Sequence, residues 1–146
     1  MPLGSVFANN SQTVLSVGKD AVNPIAVGAL CVRDTATAPD SWKQAPAAAG
    51  NVGPFVVCVN RAAASSDTAF SAALPGTMCT VKGQGVIEVG AEIYSSASVS
   101  GAVAAAGTGD KCGRYLGHEN ELTGKIPGTA SADGETTLVI RLGGAT

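Results

Sequence analysis

Aromatic side chains are scarce in this 146-residue chain: one Trp, two Tyr and three Phe, 4% of the sequence. Charge is scarce as well, at 14%, against about 25% in ordinary soluble domains. One histidine is present, no Cys-x-x-Cys pair occurs, and every apolar run is broken by Gly, Ser or Asp. The histidine and cysteine pattern argues against a zinc site. The nine basic residues stand singly and the net charge is −2, so no basic footprint for nucleic acid exists. The broken apolar runs fall short of the roughly 20 residues that a membrane-spanning helix needs. Residues 1–7 lack the basic and apolar regions of a secretory signal, so synthesis and assembly in a cytoplasm is the expectation.

What the chain has is Ala, Val and 19 Gly among 45% hydrophobic residues. Buried apolar surface stabilises by about 25 cal/mol per Å², and an Ala contributes little of it. Glycine adds to the entropy lost on folding. The core is therefore expected to be thin, with contacts between subunits supplying part of the stability. A surface this poor in charge also favours association.

β-Branched enrichment and alternation predict strands at Thr13–Val17, Ile25–Val32, Phe55–Val59, Met78–Lys82, Val86–Val89, Ala91–Tyr94, Cys112–Leu116 and Thr136–Leu142. In the last, Leu138, Ile140 and Leu142 are expected to face the core and Thr137, Val139 and Arg141 solvent. Cys79 and Val81 are expected inside, Thr80 and Lys82 outside. Gly83-Gln84-Gly85 reads as a three-residue hairpin connection between Lys82 and Val86. Residues 20–24, 38–40, 75–76 and 132–134 read as turns or loops. Ala62–Leu74 reads as a short helix stopped by Pro75 or as an extended loop, and Ala45–Gly50 as a surface excursion. The fold class is all-β: a small antiparallel β-barrel or sandwich with an extended N-terminal arm and long loops. The arm comprises residues 1–12, anchored by Leu3, Val6 and Phe7, and residues 13–146 form a single β domain. Leu3, Val6 and Phe7 are the residues expected to meet a neighbouring subunit or a larger surface.

Reactive groupings are few. Cys31, Cys58, Cys79 and Cys112 are widely spaced; Cys58 and Cys79 sit in apolar strands and read as small buried hydrophobes, with disulfides as the alternative. A nucleophile pair would have to use Cys112 and His118, and a small hydrolase built on them is the reading from another class. Glu88 and Glu92 read as surface carboxylates. Gly101–Gly107 lacks the Lys-Ser/Thr of a phosphate loop. Neither a catalytic, a cofactor-binding nor a metal site is expected, and no cofactor.

Several segments in order carry a family likeness: Val27-Gly28-Ala29-Leu30-Cys31-Val32, Pro54-Phe55-Val56-Val57, Gly85–Tyr94, Gly113-Arg114-Tyr115-Leu116 and the terminal Val139-Ile140-Arg141-Leu142. In this order the chain resembles the capsid cement, or head decoration, proteins of tailed bacteriophages. The stretch beginning at Arg61 and that between Leu116 and Thr136 depart from that pattern. The resemblance implies a structural virion protein, not an enzyme. It would sit as a homotrimer on the outer surface of a phage head against the major capsid protein, after assembly in the host cytoplasm. The alternative is a tail-associated or receptor-binding β module.

Overall fold

The computed structural model describes residues 3–6, 14–36, 41–117 and 138–143. Ten strands appear among them: β1 Val14–Lys19, β2 Leu30–Asp34, β3 Ser41–Gln44, β4 Val56–Cys58, β5 Ala69–Ala73, β6 Met78–Val81, β7 Glu92–Ser95, β8 Val103–Ala104, β9 Lys111–Gly117 and β10 Leu138–Leu142. The fold is all-β. The first five strands close a barrel in the order β1-β3-β2-β4-β5, and the last five form a sheet in the order β6-β10-β9-β7-β8.

Closure of the barrel uses one parallel pairing, with Gly18 opposite Ser41 and Lys19 opposite Trp42; the other barrel pairs are antiparallel. Side chains from all five strands converge inside it: Val17, Cys31, Trp42, Val56, Cys58, Phe70 and Ala72, joined by Ile25, Ala29 and Ala63. The opposite faces of β2, β4 and β5 present Leu30, Val32, Val57 and Ala73 to the second sheet. That sheet answers with Cys79, Val81, Ile93, Val103, Cys112, Tyr115, Ile140 and Leu142. β4 is thus buried on both faces, which is why Phe55–Val59 reads as an unbroken apolar run rather than an alternating one.

The second sheet is drawn toward closure as well. Gly83 bridges Val103, with the Val103 N–H donating to Lys82 O and the Gln84 N–H donating to Val103 O, both at 2.9 Å. This overturns the hairpin expected at Gly83-Gln84-Gly85. After Val81 the chain crosses to β8 instead of reversing, and Val86–Val89 forms no strand. Ile87 turns into the core while Val86 and Val89 stay exposed.

A bulge explains how Cys112 and Tyr115, three residues apart on β9, share one core. Ile93 pairs with Gly113 and Tyr94 with Lys111, leaving Cys112 as the extra residue. Gly113 permits the close approach of β10, since a Cβ there would lie 2.2 Å from Arg141 O.

The helix reading of Ala62–Leu74 is also corrected, because Ala69–Ala73 is a strand between β1 and β4. Small side chains suit that place: Ala72 and Ala73 are fully buried on opposite faces, where a larger residue would have no room. Ala45 is buried rather than part of an excursion, while Pro46–Gly50 is exposed. Thr80, expected outside, is fully buried because residues 3–6 cover it. The turns expected at residues 38–40 and 132–134 lie outside the described residues, as does His118.

Candidate functional site

A cleft of about 600 Å³ lies where the start of β4 meets the approach to β9. Pro54, Phe55, Pro75 and Tyr94 give it an apolar lining, and Gly107, Gly109, Asp110 and Lys111 form one wall. The wall is held by backbone approach. A Cβ at Gly107 would lie 2.7 Å from Tyr94 Cβ, and one at Gly109 would lie 2.1 Å from Asn51 O. The Asp110 carboxylate accepts from the Gly53 N–H at 3.0 Å, and the Asp110 N–H donates to Asn51 O at 3.0 Å. The cleft is therefore a fixed groove with an aromatic floor and one carboxylate. Its residues come from segments 53–55, 75, 94, 107–111 and 143, so no local motif in the sequence announces it.

Beside it lies an ion cluster. Lys111 Nζ meets Glu92 Oε2 at 2.5 Å and Arg114 approaches Glu92 Oε1 at 3.6 Å. The hydrogen bond from Lys111, followed by the charges of Lys111 and Arg114, holds the Glu92 carboxyl below its ordinary range and raises the Lys111 ammonium. Arg114 also donates to Gly90 O at 2.6 Å, so these cations serve the turn between Glu88 and Glu92. Glu88 is exposed.

The four cysteines are all free and buried, so no disulfide joins them. Burial pushes the Cys58 thiol up to about 11 and those of Cys79 and Cys112 up to about 12. The Cys31 thiol is raised as well, by burial first and then by the neighbouring Cys58. The Cys112 thiol donates to Ile93 O at 3.4 Å in the core between barrel and sheet. A thiol placed so carries almost no thiolate near neutrality, the form a nucleophile needs. No group of three metal-ligating side chains occurs among the described residues.

Of the three contact residues expected from sequence, Leu3 and Val6 are half-buried against their own chain and Phe7 lies outside the described residues. Among the described residues, Leu15, Val22, Val52, Val86 and Val89 are the large aliphatics left facing solvent, between 40% and 73% exposed. Reading each strand for its inward face passed over them, since Leu15 and Val86 differ from core residues only in where the chain turns. No family model, no curated protein and no solved structure matches the chain.

Proposed function

We propose that the chain is a structural virion protein that cements the outside of a phage head, seated as a trimer on the major capsid protein. The reading is supported by the order of segments that resembles head decoration proteins. The observation that carries it is the set of exposed aliphatics on a closed β scaffold. Leu15, Val22, Val52, Val86 and Val89 offer apolar contact on a chain with little charge to oppose association. The thin, Ala-rich barrel interior gains most from such contact.

The test is the molar ratio of this chain to the major shell protein in gradient-purified particles from its source. A ratio near one to one is expected. Absence from particles overturns the reading. The Tyr94 cleft favours a second reading, a tail-associated or receptor-binding module, which a few copies per particle would select.

A further inference from the structure

Residues 3–6 are held in a way that suggests a ligand more than a frayed terminus. They lie along the outer edge of β6, where the Gly4 N–H donates to Thr80 O at 3.2 Å and the Thr80 N–H donates to Ser5 O at 2.9 Å. The Ser5 N–H donates to Thr80 Oγ1 at 2.9 Å, and the Asn60 N–H donates to Gly4 O at 3.1 Å. Val6 pairs with Cys79 and packs on the core beneath.

Two glycines in the left-handed region set the fit. A Cβ at Gly28 (φ 76°) would lie 2.1 Å from Leu3 Cγ. One at Gly4 (φ 77°) would lie 2.6 Å from Val27 Cγ2 and 3.1 Å from Cys58 O. The groove thus accepts an extended aliphatic-Gly-small-aliphatic segment and would reject a side chain at the second position. It binds mainly through backbone, as strand addition does. Leu3 and Val6 remain half-buried in it, which places the segment at the surface rather than within the core.

None of these contacts depends on which copy of the chain supplies the segment. The connection to β1 is residues 7–13, including Asn9-Asn10-Ser11-Gln12, long enough to span about 23 Å when extended. A vacated groove would leave the edge of β6 open to solvent, a template for pairing. Reciprocal exchange of identical segments refills it with the same bonds, so concentration and connector length set the balance.

We propose that this groove is an intersubunit docking site whose second occupant is Leu3–Val6 of another copy, so that neighbouring copies are linked by exchange of their N-terminal arms. The proposal stands apart from the virion reading, and its test uses no particle.

Two full-length variants, Ser5→Cys and Thr80→Cys, are purified reduced, mixed at high concentration and oxidised mildly. The mixture is expected to give a covalent dimer many-fold above either chain alone, increasing with concentration, while the four native thiols stay buried. Gly28→Ala in the Thr80→Cys chain should cut that yield severalfold. Circular dichroism establishes that each chain is folded. A mixture of folded chains giving no more dimer than the separate chains overturns the proposal, as does cross-linking that Gly28→Ala leaves unchanged. Should Thr80→Cys not fold, Val6→Cys alone suffices, since native Cys79 lies opposite. Its disulfide, mapped by peptide mass, is expected to be between chains in concentrated protein, and purely intrachain linkage at every concentration overturns the proposal.

Discussion

The barrel interior and the layer between barrel and sheet are both sealed from water, but they are built from different side chains. The interior relies on Ala29, Ala63, Ala72, Cys31 and Cys58 with Ile25, Val56 and Phe70. The layer has Tyr115, Phe55, Leu30, Leu142, Ile87, Ile93 and Ile140. A five-stranded barrel has little space within, so its strands approach closely and tolerate only a few bulky groups. The layer has no such limit and buries more apolar area per residue. Cohesion therefore lies chiefly where the two halves meet. The barrel contributes shape, and the sheet that covers it contributes most of the stability.

The largest effect is expected in the layer. Tyr115→Ala should cost about 3–5 kcal/mol, read as a fall in the urea midpoint, because Tyr115 is fully buried there. A loss below about 1 kcal/mol would break the comparison. Ala72→Leu probes the opposite limit. It overfills the barrel and should cost about 1–3 kcal/mol, whereas an unchanged midpoint would mean that the interior has room to spare.

Each region also holds two thiols, which makes alkaline titration informative. The thiols of Cys79 and Cys112 have an ordinary value of 9.0 when unfolded and are pushed up to about 12 when folded. Their protonated forms are retained by the fold, so that stability is fully present below pH 9 and is lost as pH rises toward 12. The slope should be about 1.4 kcal/mol per pH unit for each thiol, and Cys79→Ala should flatten it. A midpoint unchanged between pH 9 and 10.5 would contradict their burial. The smallest effect is expected at the exposed rim. The Glu92 carboxyl lies below its ordinary value of 4.5 when folded, so its contribution is present above pH 4.5 and is lost as pH falls through the folded value. Glu92→Gln should slightly flatten the acid limb of the stability profile and leave pH 7 nearly unchanged, and a marked loss at pH 7 would show that the ion cluster matters more than its exposure implies.

Legibility in the sequence followed the side-chain pattern. β6, β7 and β10 announce themselves through β-branched residues, and inward Cys79, Val81, Ile140 and Leu142 are as expected from alternation. β3 and β5 do not. Ser41–Gln44 is polar apart from Trp42 and acquires strand form by lying between β1 and β2, and Ala69–Ala73 has a helix former's composition but needs small residues on two buried faces. The cleft at Tyr94 was illegible because its walls come from five separate segments.

The sequence by itself determined an all-β chain with little charge and few aromatics, because composition and period-two alternation act over a few residues. The tertiary structure alone decided that Gly83 bridges to β8 rather than turning a hairpin, that the barrel closes through a parallel pair, and that residues 3–6 bury Thr80. Each of those outcomes depends on which backbone groups find partners at long range, and a hydrogen-bonding edge carries no mark in the residues that will eventually cover it.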